Sequence, residues 1–121
     1  MSDAPLLMVV DDDPSVLLLV DVLAEKMGFR VKAVSNGLQA LEHLRDGLHP
    51  SVILLDIMME RIDGLTFMNH LRDMPKLEQT PVIAMSTAAV LERYGDKLRV
   101  AGTLLKPITQ ATLAEALERY R

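Results

Sequence analysis

The stretch LLMVVDDDPSVLLLVDVLAEKMG, residues 6–28, contains one complete unit of a strand followed by a helix. Leu6–Val10 is a run of five apolar residues that predicts a buried strand, and three consecutive aspartates follow it. A helix is predicted over 14–27, because Asp13 is a suitable N-cap before a proline and Gly28 is a typical stop. The buried face of this helix is predicted to carry Val16, Leu19, Leu23 and Met27.

The same alternation of a short apolar run and a longer amphipathic segment continues to the end of the chain. Strands are predicted over residues 29–34, 51–55, 81–85 and 103–105. Helices are predicted from the cap Asn36 to Gly47, from Asp63-Gly64 onward, over 88–100 with an interruption at Gly95, and over 109–120. Their inward positions are predicted to be Leu38, Leu41, Leu44, Leu65, Met68, Leu71, Leu113 and Leu117. Five such units predict an α/β fold with a doubly wound parallel sheet.

Composition excludes several classes of function. The chain has 121 residues, enough for one domain with a real core, and a net charge of −4, so no basic excess attracts nucleic acid or an anionic membrane. It has no cysteine, which excludes disulfides, thiolate metal sites and cysteine nucleophiles. No stretch has the pattern of a membrane span or a signal peptide, and the expected location is the cytoplasm.

Charged and hydroxyl side chains follow the predicted strands at one edge of the sheet. They are Asp11, Asp12 and Asp13 after the first strand, Asp56 after the third, Ser86 and Thr87 after the fourth, and Lys106 after the fifth. Carboxylates this close need a cation to stay ionised together, and an all-oxygen set favours Mg²⁺. A lysine beside them can bind phosphate oxygens, and a positioned carboxylate can accept a phosphoryl group covalently. The pattern therefore predicts phosphoryl chemistry at this edge.

Four motifs in register give the chain a resemblance to a known family. They are Met8–Pro14 (MVVDDDP), Ile53–Met59 (ILLDIMM) with Asp63-Gly64, Pro81–Ser86 (PVIAMS), and Leu104–Pro107 (LLKP). With this spacing, the whole chain resembles the receiver domain of two-component response regulators. The resemblance implies a five-stranded (βα)₅ flavodoxin-like fold with strand order 2-1-3-4-5, and a single receiver domain over residues 1–121.

The resemblance also implies a role for each matching residue. Asp56 is the expected phosphoacceptor, Ser86 the switch hydroxyl, and Lys106 the contact to a phosphoryl oxygen. The expected Mg²⁺ ligands are Asp12 and Asp56 directly, Asp11 through water, and the backbone carbonyl of Met58. The Lys106-Pro107 peptide bond is expected to be cis.

The function implied is a signalling switch that is not an enzyme in the ordinary sense, since it catalyses only its own phosphorylation and dephosphorylation at Asp56. A sensor histidine kinase or a histidine phosphotransfer protein is the expected donor, and a downstream protein is the expected target. No direct binding of nucleic acid or membrane is expected, and the chain is expected to be a monomer or weak homodimer.

The sequence departs from the family pattern at several positions. Glu60 stands where the family usually has proline, and Thr103 stands where an aromatic switch residue is common, a role for which Tyr94 is a candidate. The stretch between Ser86 and Lys106 is about two residues short. Met58 lies two residues after Asp56, and Ala88 lies two residues after Ser86. Neither side chain can orient a water by hydrogen bonding, which predicts slow hydrolysis of the aspartyl phosphate.

Alternative interpretations stay open. Thr87 is a second candidate for the switch hydroxyl, while Asp13 and Asp63 are explained by helix capping alone. The three histidines, His43, His49 and His70, have no metal-ligand spacing and are read as structural or surface residues. An unphosphorylated interaction module on the same fold is the main rival function. An aspartyl phosphatase is disfavoured because Met58 stands where its second acid belongs, and a flavin protein because no phosphate-binding loop follows the first strand.

Overall fold

Strands and helices alternate strictly along the chain. The computed structural model describes residues 3–59 and 62–121. The strands are β1 (Leu6–Val10), β2 (Arg30–Val34), β3 (Val52–Asp56), β4 (Val82–Ser86) and β5 (Gly102–Leu105). The helices are α1 (Pro14–Lys26), α2 (Gly37–Arg45), α3 (Gly64–Arg72), α4 (Ala88–Leu98) and α5 (Gln110–Leu117), followed by a 3₁₀ turn at Glu118–Tyr120.

The five strands form one parallel sheet in the order β2-β1-β3-β4-β5, which confirms the predicted fold and strand order. β1, β3 and β4 occupy the centre and are buried along their whole length, as expected for strands covered on both faces. In the register, Val10 lies beside Leu55, Asp56 beside Met85, and Ser86 beside Leu105. The carboxyl ends of β1, β3, β4 and β5, which carry the predicted site residues, therefore lie at the same edge of the sheet.

Two apolar cores lie on opposite faces of the sheet. On one face, alternate strand residues such as Met8, Ile53 and Leu55 pack with buried residues of α2, α3 and α4. On the other face, the intervening residues, such as Val9 and Leu54, pack with α1 and α5. Alternation along a strand sends successive side chains to opposite faces, so one strand supplies both cores. Within residues 3–59 and 62–121, no helix is long and apolar enough to cross a membrane.

Local signals begin and end the helices as the sequence predicts. The side chains of Asp13, Asn36 and Asp63 cap α1, α2 and α3 by accepting backbone N–H bonds. Hydrogen bonds from Ser15 hold the pKa of Asp13 below its ordinary value. Gly28 (φ 100°) and Gly47 (φ 108°) follow α1 and α2 in the left-handed region that favours glycine.

Several packing predictions for the helices are wrong. Leu19, Leu38 and Leu65 are 39, 43 and 46% exposed, although each was assigned to a buried face. Helix α1 instead buries Val20 and Ala24 fully. α1 is apolar on most of its surface, and hydrophobic spacing alone therefore does not identify its inner face.

The region between β4 and β5 also differs from the prediction. Helix α4 continues through position 95 to Leu98, so that Gly95 does not interrupt it. The helix ends at Arg99, whose φ of 53° is left-handed, and β5 begins only three residues later at Gly102. The short spacing noted in the sequence is therefore accommodated by an abrupt helix end rather than by loss of α4.

Candidate functional site

The carboxyl edge of the sheet brings Asp11, Asp56, Ser86 and Lys106 together. Asp11 follows β1 directly, Asp56 and Ser86 end β3 and β4, and Lys106 follows β5. Asp11 is 0% exposed and Asp56 and Ser86 are each 4% exposed. Buried carboxylates are costly unless they are paired or hydrogen-bonded. The surroundings of each acid therefore show what this site is able to hold.

Both carboxylate oxygens of Asp11 already have protein partners. Its Oδ2 accepts a hydrogen bond from Lys106 Nζ at 2.7 Å, and this contact is also an ion pair. Its Oδ1 accepts the backbone N–H of Asp13 at 2.9 Å. Both oxygens of this buried carboxylate are therefore engaged within the protein.

Asp56 is less completely satisfied. Its Oδ1 accepts the backbone N–H of Met58 at 3.0 Å, and its Oδ2 lies 3.4 Å from Lys106 Nζ. The pKa of Asp56 is raised from 3.8 to about 6 by all its surroundings together; burial is the largest cause, and the Met58 hydrogen bond acts in the opposite direction. The negative charge of Asp11 also raises the pKa, and Lys106 opposes that effect. A carboxylate with this pKa is mostly ionised at neutral pH, and burial leaves it poorly solvated.

Lys106 is the cation of the site. Burial alone lowers the pKa of Lys106, but the hydrogen bond to Asp11 and the charges of both carboxylates outweigh it and raise the pKa overall. The side chain is 24% exposed, so the ammonium is reachable from outside. The site therefore contains a permanently charged lysine that faces two buried carboxylates.

Three carboxylates form a cluster that can hold a metal ion. Asp11, Asp12 and Asp56 each offer an oxygen, and these oxygens lie within 4.8 Å of one another. Asp12 is exposed, which leaves its carboxylate accessible. A hard divalent cation such as Mg²⁺ takes oxygen ligands and keeps several waters, and a cluster with one exposed member permits both. The donor set therefore fits the metal that the sequence predicted.

Ser86 and Lys106 are linked through the backbone. The N–H of Lys106 donates to the Ser86 carbonyl at 2.9 Å, which fixes the β5 end against the β4 end. The Lys106-Pro107 peptide bond is cis, as predicted. Ser86 is buried, whereas Thr87 is exposed at the start of α4 and makes no capping hydrogen bond with its side chain. Of the two candidate switch hydroxyls, Ser86 is therefore the buried one.

The structure gives positions to Thr103, one of the departures noted in the sequence, and to Tyr94, the candidate for the missing aromatic. Thr103 is exposed on β5 at the edge of the sheet. Tyr94 is half-buried in α4 and lines a groove of about 240 Å³ beside Met58 and Met59. Glu60, another departure, lies outside the described residues.

Sequence reasoning missed the two backbone donors of the site. The N–H groups of Met58 and Asp13 hold one oxygen each of Asp56 and Asp11. Every residue except proline has such a donor, so no residue type marks it in a sequence. A backbone donor is revealed only by the conformation of the turn that follows each strand.

A second groove, of about 460 Å³, opens beside Lys106. It is lined by residues of α1 and of the loops after β4 and β5, among them Leu19, Thr87 and Pro107. Next to it, α1 exposes Leu18 (66%), Leu19 (39%) and Val22 (45%). Exposed apolar side chains grouped in this way are typical of protein contact surfaces.

The response regulator receiver domain model matches residues 7–118 of this chain. Protein PilG of Pseudomonas aeruginosa is 31% identical over 98% of this chain and 89% of PilG. The polar-differentiation response regulator DivK of Brucella ovis is 31% identical over 93% of each chain. The signal transduction histidine-protein kinase BarA of Escherichia coli K12 is 37% identical over 94% of this chain, but the chain spans only 12% of BarA.

Solved structures share the fold. The chemotaxis response regulator CheY4 of Vibrio cholerae superposes with a TM-score of 0.88 at 25% identity, over 98% of this chain and 99% of CheY4. The receiver domain of the sensor histidine kinase PA1611 of Pseudomonas aeruginosa gives a TM-score of 0.87 at 23% identity, over 97% of both chains. That protein has a magnesium ion coordinated in its active-site cleft.

Proposed function

This chain belongs to the response regulator receiver domain family of two-component phosphorelay systems, and we propose that it accepts a phosphoryl group on Asp56. The observation that carries this proposal is the geometry around Lys106, whose ammonium lies 2.7 Å from Asp11 and 3.4 Å from Asp56. A buried carboxylate beside a cation and a second acid is suited to act as a nucleophile toward phosphorus.

The proposed reaction is phosphoryl transfer from a phosphohistidine on a partner protein. An oxygen of the ionised Asp56 carboxylate attacks phosphorus, and a P–O bond forms as the P–N bond of the donor breaks. The donor imidazole keeps the electron pair of that bond and takes up a proton from water. Positioning and charge neutralisation supply most of the catalysis of such transfers.

Lys106 and Ser86 contribute to this step as charge and hydrogen-bond donor. The Lys106 ammonium neutralises negative charge on the phosphoryl oxygens, and its exposed fraction leaves it accessible to an incoming group. Ser86 ends the strand beside Asp56, and its hydroxyl is the proposed switch that turns toward a phosphoryl oxygen. The Met58 N–H keeps the acceptor carboxylate oriented through Oδ1.

Mg²⁺ is the proposed cofactor. Asp12 and Asp56 would bind it directly, Asp11 through water, and Met58 through its backbone carbonyl. When bound, the ion supplies positive charge that offsets the three carboxylates and the phosphoryl oxygens. The oxygen cluster around Asp11, Asp12 and Asp56 and the magnesium in the PA1611 receiver support this assignment.

The proposed partners are a sensor histidine kinase or a histidine phosphotransfer protein, and a downstream protein target. We propose that the donor reaches Asp56 over the face of α1 that exposes Leu18 and Val22, because the groove beside Lys106 adjoins it. A cytoplasmic location and a single receiver domain over residues 1–121 stay predictions. Output through an aromatic switch on β5 is not proposed, since Thr103 has no ring.

Intact mass spectrometry after incubation with Mg²⁺ and acetyl phosphate tests the proposal. We expect the wild type to gain one phosphoryl group, and expect no gain for Asp56→Asn or for the wild type in EDTA. Asp63→Asn is a matched control, because Asp63 is an exposed N-cap and asparagine caps helices equally well. A gain in Asp56→Asn equal to the wild type would refute Asp56 as the acceptor.

The same experiment separates the rival function. An unphosphorylated interaction module predicts no mass gain under any condition, together with unchanged partner binding in Asp56→Asn. Failure of the wild type and of Asp56→Asn to gain mass, with Mg²⁺ binding also absent, would favour that module over a phosphoacceptor.

A further inference from the structure

The loop that follows the acceptor is held at its start by a close glycine contact. Gly64, the first residue of α3, packs so tightly on Ile57 that an added Cβ would lie 2.8 to 3.0 Å from three atoms of Ile57. The N–H of Gly64 also donates to the Ile57 carbonyl at 3.3 Å, and the Ile57 N–H donates to Met85 of β4 at 3.3 Å. Ile57 is therefore fixed between α3 and the sheet.

The end of the same loop is held by a second glycine, from a different helix. Gly37, the first residue of α2, is buried, and an added Cβ there would overlap the Cγ2 methyl of Ile62 and touch Phe67. Ile62 is 6% exposed and belongs to the same core as Ile57 and Phe67. The bare Cα of Gly37 therefore forms the surface on which Ile62 rests.

We propose that Gly37 is a positioning residue for the phosphorylation of Asp56. By admitting Ile62 against α2, it fixes the start of α3 and, through the contact of Gly64 with Ile57, the conformation that directs the Met58 N–H at the acceptor carboxylate. This inference rests on the proposed function of Asp56, and it assigns a role to a helix that contributes no side chain to the site.

Each link from Gly37 to the acceptor is either a contact in the structure or a neighbouring position in the chain. Ile62 precedes Asp63, which caps α3 by accepting the Thr66 N–H at 2.9 Å. A displaced Ile62 therefore moves the start of α3, including Gly64. Gly64 packs on Ile57, as described above, and Ile57 lies between Asp56 and Met58 in the chain. A shift on the order of 1 Å remote from the chemistry can slow a reaction about 100-fold.

The test compares two glycine-to-alanine variants with opposite steric surroundings. Gly37→Ala introduces the overlap with Ile62. Gly102→Ala is the matched control, because its Cβ would lie 4.0 Å from Ile83 in ordinary contact and its backbone is not left-handed. Ile62→Leu keeps the side-chain volume and removes the branch at Cβ, so the double variant Gly37→Ala/Ile62→Leu should relieve the overlap.

Three quantities are measured for each variant. They are the rate of phosphorylation by acetyl phosphate with Mg²⁺, the chemical shift of the Met58 amide without phosphodonor, and the urea midpoint. We expect Gly37→Ala to be phosphorylated at least tenfold more slowly and to shift the Met58 amide. Gly102→Ala should match the wild type. The double variant Gly37→Ala/Ile62→Leu should have the same phosphorylation rate and the same Met58 amide shift as Ile62→Leu alone. A purely structural role would change the urea midpoint and leave the rate and amide unchanged.

The outcomes are distinct. Equal rates for Gly37→Ala and Gly102→Ala in a phosphorylated wild type would overturn the inference and leave the proposed function intact. No phosphorylation of the wild type would refute the proposed function, and the Met58 amide then decides whether Gly37 holds the loop. If Gly37→Ala does not fold, Ile62→Ala removes the same contact from the other side. A normal rate and an unshifted Met58 amide in that variant would overturn the inference.

Discussion

Replacing Asp56 by asparagine should stabilise the protein in the absence of metal. Burial holds the pKa of Asp56 at about 6, against an ordinary value of 3.8, so the folded chain disfavours the ionised carboxylate. A difference of about two pKa units corresponds to about 3 kcal/mol at about 1.4 kcal/mol per unit. Asparagine carries no charge, and its oxygen can still accept the Met58 N–H. We therefore expect the free energy of unfolding to rise by about 3 kcal/mol at pH 7, a value that already includes the attraction between Asp56 and Lys106.

The pH dependence of that gain follows from the direction of the shift. A carboxyl group with a raised folded-state pKa contributes stability below its unfolded pKa of 3.8, and loses that contribution as the pH rises through about 6. The difference between Asp56→Asn and the wild type should therefore be near zero at the acidic end of this window. It should grow across the window and level off near neutral pH.

Urea unfolding in EDTA at a series of pH values measures this difference. Asp63→Asn, which replaces an exposed capping carboxylate outside the site, is the matched control for an Asp-to-Asn change. Adding Mg²⁺ should stabilise the wild type more than Asp56→Asn and narrow the gap. A difference that does not vary with pH, or an asparagine variant less stable than the wild type at pH 7, would refute the reasoning.

Three further predictions concern neighbouring residues. Lys106→Ala leaves the buried Asp11 carboxylate without its cation, so in EDTA the free energy of unfolding should fall by about 3 kcal/mol, and Mg²⁺ should restore part of it in the same urea titration. Arg99 has a left-handed backbone at the end of α4, and Arg99→Gly removes the strain of a side chain there. The free energy of unfolding should rise by about 0.5–1 kcal/mol, seen as a higher urea midpoint, and an unchanged midpoint would contradict this. Met58→Asn places an amide that can orient a water beside the acceptor, so the phosphorylated protein should lose its phosphate faster than the wild type. Mass spectrometry follows this loss, and equal rates for the two proteins would contradict the prediction that the Met58 side chain makes hydrolysis slow.

The sequence predicted the fold well because its signals are local and repeated. Runs such as Leu6–Val10 are apolar throughout, as central parallel strands require, and capping residues such as Asp13 precede the helices. These features depend on the residue and its close neighbours in the chain. The positions of Asp11, Asp56 and Lys106 at one edge then follow from topology, since parallel strands end on the same side of the sheet.

Helix faces and exposure were predicted less well. Leu19, Leu38 and Leu65 have the spacing of buried residues but are substantially exposed. Leu19 lies in α1, a helix rich in apolar residues that can pack on the sheet in more than one rotation, whereas Leu38 and Leu65 are the second residues of α2 and α3. The rotation of α1 in the structure buries Val20 and Ala24. A pattern of apolar residues by itself does not select that rotation.

The sequence by itself determined the alternation of strands and helices and the set of acids, hydroxyl and lysine at the strand ends. Only the tertiary structure decided that Lys106 pairs more closely with Asp11 than with Asp56, that Met58 donates its N–H to the acceptor, and that Gly37 meets Ile62. The first set depends on residue type and spacing along the chain. The second depends on distances between atoms far apart in sequence, which are set by how two helices and a loop pack together.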